Sequence, residues 1–437
     1  MTAVNAEDAL AIMPLDRPID ATVAVPGSKS LTNRALLIAA LADGRSTLTG
    51  ALASDDTRYM AGALRALGIA VAQEDASEGA SEGARFTVNG RAGRFPVSEA
   101  TLFIGASGTA ARFLTAAMAL GRGRYVLDGV ARMRERPIEP LLTALRQLGA
   151  DIVSREGTGC PPVVATAAGL PGELCRVRGD LSSQFLSALL MVAPYAGGGA
   201  TIEVEGELVS RPYVGITTAI MRDFGVPVVE GADRYAVPPA VYRAREYAIE
   251  PDATAASYFY AAAALTGGTV RVAGLGPGAV QGDVAFVDVL ERMGCAVERG
   301  ATAITVRGPA RLRGVDVDMG DISDTAQTLA ALAPFAEGPT TMRGLAHARL
   351  KETDRVAAVA TELRALGCRV EERPDGLTIH PSALHGGTVA TYDDHRMAMS
   401  FALIGLRVPG IRIADPGCVA KTFPDFFARF AAMRGVG

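Results

Sequence analysis

A chain of 437 residues with 43 Lys or Arg against 47 Asp or Glu has a formal charge of −4, which excludes a polybasic nucleic-acid arm. With 49% hydrophobic and 21% charged residues it can bury a large core, so disorder is excluded and more than one domain is expected. Glu7, Asp8 and Asp16 stand where a signal peptide needs positive charge, and no apolar run approaches the roughly 18 residues of a membrane span, so a cytoplasmic protein with no membrane partner is expected.

Taken in chain order, two patterns alternate. The first is an Ala-rich helix opened by a polar cluster, beginning at Ser28, Ser107, Ser182, Asp252, Ser323 and Asp393, at intervals of 79, 75, 70, 71 and 70 residues. The second is a helix that ends in glycine and runs into a strand, as in LRALGIAV at Gly68, LRQLGADIV at Gly149, MRDFGVPVV at Gly225, LERMGCAVE at Gly294 and LRALGCRVE at Gly367. FFARFAAM is a worn sixth copy. In DTRYMAGALRALG the residues Tyr59, Met60, Ala63, Leu64 and Leu67 form one apolar stripe, with Asp55 or Asp56 as the cap. Pro137 and Pro212 are expected to open the corresponding later helices. Short β-rich runs from Thr201 and Thr269 complete mixed α/β units of about 73 residues, too small to hold a full core singly. Six units predict two groups of three with a break near Glu250, and DASEGASEGA, from Asp75 to Ala84, reads as a long hairpin excursion.

The helix openings differ from one another, and that difference is the functional signal. PGSKSLTNR places Lys29, Ser30 and Arg34 at a helix N-terminus, where free amides and the dipole attract an anion; a plain Ser cap is the alternative. The upstream glycine of a nucleotide-triphosphate loop is missing, which excludes that reading. GASGTAAR, from Gly105, would let backbone amides approach a ligand. In ARMRERP an extended backbone would set Arg132, Arg134 and Arg136 on one face, a pattern that usually means a solvated surface. Ser182, Ser183, Gln184 and the VSRPY loop supply neutral groups suited to hydroxyls. The second half adds DISD from Asp321, RLKETDR with Lys351, Glu352 and Arg355, DDHR with Arg396, and Lys421. Asp393 and Asp394 could equally be caps, and His395 a structural histidine.

The basic residues comprise 40 arginines and only the three lysines Lys29, Lys351 and Lys421, all at unit openings; cations gathered there suit substrates with several negative charges, at least one a phosphate. His380 and His385 fall in a loop with no carboxylate at ligand spacing, so no catalytic metal is expected. Cys160, Cys175, Cys295, Cys368 and Cys418 are odd in number and far apart, which fits buried small hydrophobes better than disulfides or zinc.

PGSKSLTNRAL, RMRERPI, SSQFLSALLM, LVSRPY, LKETDR, YDDHRMAM and AKTFPDFF occur in an order that resembles the 5-enolpyruvylshikimate-3-phosphate synthases, the 3-phosphoshikimate 1-carboxyvinyltransferases, over about residues 25 to 426. The resemblance implies a two-domain enolpyruvyl transferase fold of six βαβαββ-type repeats, three per domain, closing on the substrates. Residues 28–249 would form one domain; 1–27 and 250–437, joined by the N-terminal strand, would form the other. It implies a monomer that converts shikimate 3-phosphate and phosphoenolpyruvate to an enol ether and phosphate in aromatic amino-acid biosynthesis, with no metal or organic cofactor. Lys29, Ser30, Arg34, Ser182, Ser183, Gln184, Ser210, Asp324, His347 and Lys351 would serve the shikimate phosphate, and Lys29, Gly108, Arg132, Gln184, Arg355, Arg396 and Lys421 the phosphoenolpyruvate. Asp324 would be the base at the 5-hydroxyl, Glu352 the acid at the methylene carbon and Lys29 the partner of the departing phosphate.

The family commonly has Asn where this chain has Ala106 and Pro where it has Phe113, so weaker phosphoenolpyruvate binding is expected. The sister transferase acting on UDP-N-acetylglucosamine carries a reactive Cys in its second unit, whereas no Cys here precedes Cys160. A non-catalytic repeat scaffold would use interchangeable basic residues at its openings, unlike the Ser, Gln, Asp and Lys found here. A nucleic-acid enzyme on a related fold is opposed by the charge balance and by the absence of Trp.

Overall fold

A computed structural model of the chain describes residues 9–75 and 83–433. Most of the predicted hairpin excursion, residues 76–82, lies outside the described residues. The chain divides into two units, one of residues 26–250 and one combining 1–25 with 251–437.

Twelve α-helices occur among the described residues: α1 Lys29–Leu41, α2 Asp55–Ala66, α3 Gly108–Met118, α4 Glu139–Gln147, α5 Ser183–Val192, α6 Pro212–Asp223, α7 Ala253–Thr266, α8 Phe286–Arg292, α9 Ala326–Leu332, α10 Arg355–Ala365, α11 His395–Gly405 and α12 Phe426–Ala432. The odd-numbered helices through α11 are the Ala-rich ones and are buried on nearly every side, as sequences apolar all round must be. The even-numbered helices bury one stripe; in α2 this is Met60, Ala63 and Leu64, with Leu67 just beyond the end. Gly68, Gly149, Gly225, Gly294 and Gly367 follow α2, α4, α6, α8 and α10 at φ 84, 91, 89, 104 and 93°, the left-handed step that turns a helix end into the next strand.

Each repeat ends in a small sheet of one plan. In the 26–250 unit the orders are 246–248, 43–51, 84–91, 70–74; then 99–103, 122–128, 163–168, 151–154; then 174–178, 200–205, 234–237, 229–230, with the first pair parallel and the others antiparallel. The second unit repeats the plan with 20–23, 269–273, 303–307, 296–299 and with 316–318, 340–343, 376–379, 370–373. Its last sheet is shorter, 387–389 beside 411–413, and is completed by Leu10–Ala11. The strand Asp20–Val23 pairs with Thr269–Ala273, so the first sheet of the other unit takes its parallel edge from Glu246–Ala248 at that unit's far end. Local sequence cannot show this exchange, because both edges satisfy the same hydrogen-bond ladder.

In the second unit α7, α9 and α11 pack on one another. The worn last helix α12 is held by aromatic contacts: Phe426 lies 5.7 Å from Tyr258, 6.0 Å from Phe259 and 5.5 Å from Phe423 between ring centroids. Truncating such a buried aromatic costs ~3–5 kcal/mol. That docking sets the position of Lys421, in the 3-10 turn Pro416–Lys421 just before it.

The structure corrects five local expectations. Ser54, not Asp55 or Asp56, caps α2, its amide donating to Thr57 Oγ1 at 3.0 Å. Pro140, not Pro137, lies in the first turn of α4. Ser323 belongs to a 3-10 turn, Gly320–Thr325, ahead of α9. Asp394, rather than Asp393, caps α11. Residues Ala131–Glu135 form a 3-10 helix instead of an extended run, so Arg132 and Arg134 face solvent while Arg136 turns inward. Of the cysteines, Cys175, Cys295 and Cys368 are buried and Cys160 and Cys418 half-buried; all five are free thiols.

Candidate active site

In the 26–250 unit, α1, α3, α5 and α6 pack together as α1 with α3 and α6, and α5 with α3 and α6. Lys29, Gly108, Ser183 and Ser210 stand at or just before their N-terminal ends, where amide hydrogens are unpaired and the dipole is positive. Lys29 Nζ lies 3.6 Å from Asp56 Oδ2, with both side chains largely buried. Ser30, half-buried, gives its carbonyl to Arg34 at 2.9 Å. Arg34 itself is 2% exposed. Its guanidinium also donates to Thr217 Oγ1 at 2.7 Å, to the Tyr213 carbonyl at 3.1 Å and to Ser187 Oγ at 3.5 Å, and lies 5.0 Å over the Phe113 ring. Burial, partly offset by Tyr213, lowers it to about 10. Arg34 therefore underpins the Lys29–Ser30 turn from inside, and Phe113 covers its outer face.

Gly108 begins α3, which Ser107 caps by accepting from Ala110 N at 3.3 Å. A Cβ on Gly108 would come within 2.6 Å of the Arg136 guanidinium, so a side chain there would displace that group, which also reaches the Ala106 carbonyl at 3.5 Å. Arg132 pairs with Glu135 at 2.8 Å on the surface. Ser182 caps α5 by accepting from Gln184 N at 3.2 Å, Ser183 is buried, and Gln184 Nε2 donates to Thr109 Oγ1 at 3.4 Å. Ser210 is buried at φ 52°, a left-handed conformation that a non-glycine residue holds only under constraint.

In the other unit one carboxylate organises the site. Asp324 Oδ1 accepts from Lys351 Nζ at 2.7 Å and from Arg355 at 3.0 Å, and Oδ2 accepts from Arg396 at 2.6 Å. Glu352 bridges Arg355 at 2.9 Å and Lys421 at 3.0 Å. Asp394 receives two bonds from Arg355, at 2.7 and 3.2 Å, and one from the amide of Arg396 at 2.9 Å. Ser323 Oγ meets Lys351 Nζ at 3.2 Å and His347 Nε2 at 3.0 Å. Thus Asp324, His347, Lys351, Glu352, Arg355, Arg396 and Lys421, scattered over about 100 residues, form one connected network. Lys351 and Arg355, four residues apart, converge from a bend and a helix start.

The charges perturb one another in accountable ways. Burial lowers Lys351, with Asp324 pulling the other way. Burial and then the nearby Lys351 push His347 down to about 3, so it is neutral at physiological pH. Burial alone would lower Arg355, but Asp394, Glu352 and Asp324 hold it above its ordinary range. Asp283, bonded to Thr254 Oγ1, is raised to about 6 by burial and then by the charge of Asp324.

Reasoning from sequence missed Asp56, Thr109, Arg136, Ser323 and Asp283 as partners of the site. Ser323 and Asp56 lie beside flagged residues, in DISD and SDDTR, and adjacency was their available signal. His380 does have a carboxylate partner, Glu371 Oε1 at 2.9 Å, from the neighbouring strand. Among the described residues no group of three or more His, Cys, Asp or Glu is arranged to hold a metal ion, and no helix is long and apolar enough to cross a membrane.

The fold and the cation-rich helix openings are those of an enolpyruvyl transferase. A solved EPSP synthase from Acinetobacter baumannii superposes with a TM-score of 0.80 at 26% identity, covering 97% of this chain and 98% of that one. The enolpyruvyl transferase NikO from Streptomyces tendae shares the fold at a TM-score of 0.74 and 22% identity, with 97% of each chain covered. The family model of EPSP synthase (3-phosphoshikimate 1-carboxyvinyltransferase) matches residues 15–430. The 3-phosphoshikimate 1-carboxyvinyltransferase of Trichormus variabilis is 51% identical over 430 residues, covering 98% of this chain and all of that one. That of Thiobacillus denitrificans is 50% identical over 417 residues, covering 94% and 96%. This chain belongs to the EPSP synthase family.

Proposed function

We propose that the chain transfers the carboxyvinyl group of phosphoenolpyruvate to the 5-hydroxyl of shikimate 3-phosphate and releases phosphate, acting as a cytoplasmic monomer. The observation that carries this is Asp324 ringed by Lys351, Arg355 and Arg396 in a member of this family.

Asp324 takes the proton of the 5-hydroxyl as its oxygen bonds to C2 of phosphoenolpyruvate, while Glu352 protonates C3. Glu352 then reclaims a C3 proton as the C2–O bond to phosphate breaks, restoring the double bond. The hydroxyl proton held by Asp324 leaves with the phosphate as hydrogen phosphate, returning both carboxylates to their starting state. Three cations on Asp324 and two on Glu352 favour the ionised form of each carboxylate. An arriving phosphate or carboxylate competes for those cations, which frees Asp324 to accept a proton and lets Glu352 carry one. Arg355, Arg396 and Lys421, with Lys29, Gly108, Arg132 and Gln184, hold phosphoenolpyruvate. Ser30, Ser182, Ser183, Ser210, His347 and Lys351 hold the shikimate phosphate. His347, kept neutral, serves as a hydrogen-bonding group, and Arg34 contributes through Ser30.

The test is phosphate release by the purified protein with both substrates, the product identified by phosphorus NMR, with UDP-N-acetylglucosamine as the parallel acceptor. Turnover with the shikimate alone is expected. Turnover only with the sugar nucleotide, or with neither, overturns the assignment. Size-exclusion chromatography at an apparent mass near 45.2 kDa supports the monomer.

A further inference from the structure

Glu362 lies two turns along α10 from Arg355, so the two side chains share one helix face about 10 Å apart. Both hold the same stretch of chain. Arg355 grips Asp394 through the two bonds already described. Glu362, 7% exposed, accepts the Ala390 amide at 3.0 Å on one oxygen and the Tyr392 hydroxyl at 2.7 Å on the other. Between these grips the backbone passes through Tyr392 and Asp393 at φ 57 and 53°, two consecutive left-handed residues, neither of them glycine. Such a conformation is strained for a residue with a side chain and persists only where its surroundings over-determine it. Directly after this turn Asp394 caps α11, and Arg396, in the first turn of that helix, reaches Asp324.

We infer that Glu362 is a positioning residue for the anion-binding arginines: it clamps the strained Tyr392–Asp393 turn from below so that Asp394 and Arg396 are presented to Arg355 and Asp324. A carboxylate suits the task because it offers an acceptor to each donor at once, and its buried position makes the loss of either bond costly. Without it the Ala390 amide loses its acceptor, the turn relaxes toward ordinary backbone angles, and Arg396 shifts. Errors of about 1 Å in such groups cost on the order of 100-fold in rate.

The choice of substrate in the test rests on the proposed function; the clamp itself does not. Glu362→Ala, Glu362→Gln and Tyr392→Phe are compared with the unaltered chain by hydrogen-exchange mass spectrometry of peptides spanning 388–397, by steady-state kinetics and by thermal melting. Glu362→Ala is expected to speed exchange over 390–396 and to raise KM for phosphoenolpyruvate on the order of 10- to 100-fold, with KM for shikimate 3-phosphate changing less than about 3-fold. Glu362→Gln, which keeps an acceptor for the Ala390 amide, restores most of both, and Tyr392→Phe falls between. Unchanged exchange over 390–396 in Glu362→Ala overturns the clamp. A rise of both Michaelis constants together with exchange spread over the whole unit also overturns it, by showing general loss of structure. If the unaltered chain releases no phosphate, the proposed function falls while the exchange comparison still decides on the clamp.

Discussion

Arg355 and Asp394 form a two-bond pair, Nε to Oδ2 at 2.7 Å and a terminal nitrogen to Oδ1 at 3.2 Å, with exposures of 4% and 0%. Removing one partner of such a buried pair costs about 3–5 kcal/mol, because the other charge is left desolvated. The pair fixes the plane of the guanidinium, and so directs its remaining hydrogens at Asp324 and Glu352. Rigidity of this kind lets one arginine serve two carboxylates without side-chain searching.

Asp324→Asn removes the proposed base but preserves size and one acceptor. The expected result is a fall in kcat of about 10²- to 10⁴-fold in the phosphate-release assay, with far-UV circular dichroism unchanged. Wild-type kcat would take Asp324 out of the proton transfer and favour a non-catalytic role for the network.

Two buried groups give opposite pH dependence to stability. His347 is pushed down to about 3 in the folded chain, so the unfolded state takes up a proton near 6.5 that the folded state refuses. Its contribution is full above about pH 6.5 and is lost on acidification toward 3, on the order of 2 kcal/mol by pH 5. Asp283 is raised from 3.8 to about 6, so its contribution is present at low pH and lost as pH rises through that window. Urea unfolding at about pH 4.5, 5.5 and 7 separates them as differences from the unaltered chain. His347→Asn should gain relative stability as pH falls, and Asp283→Asn should lose it; parallel curves would refute both shifts.

Gln327, 2% exposed in α9, has neither amide atom hydrogen-bonded and lines a small space walled by Ala330, Met342, Leu345 and Val359. An unsatisfied buried amide costs ~1–3 kcal/mol. Gln327→Met keeps the length and fills the space with apolar atoms, so the melting temperature is expected to rise by roughly 2–4 °C. A drop on calorimetry would mean that the amide is satisfied in solution.

Ala106 sits half-buried in the turn before α3, with its carbonyl facing Arg136. Ala106→Asn adds an amide beside the proposed phosphoenolpyruvate position, and one neutral hydrogen bond of ~1 kcal/mol predicts a KM lower by about 5-fold. An unchanged KM would place that substrate away from this turn.

Short-range physics makes the six repeats legible in the amino-acid sequence. A helix that ends in glycine must take the left-handed step that Gly68, Gly149, Gly225, Gly294 and Gly367 take, and a Ser or Asp before an apolar run caps it, as at Ser107, Ser182 and Asp252. Motif chemistry likewise marks Asp324, Lys351, Arg355, Arg396 and Lys421, which the fold joins. What local pattern could not carry was direction and partnership. Arg132, Arg134 and Arg136 read alike in sequence, yet one 3-10 turn sends Arg136 inward and leaves Arg132 outside. Arg34 reads as one more cation at an anion-attracting helix opening but lies under the Lys29–Ser30 turn, because Ser187, Thr217 and Tyr213 arrive from helices more than 150 residues away. Sequence alone thus determined the six units and most of the charged groups, since caps, turns and apolar periodicity act over a few residues. Tertiary structure decided which charges pair and which strand closes each sheet, because hydrogen bonds and Coulomb forces depend on distance in space rather than along the chain.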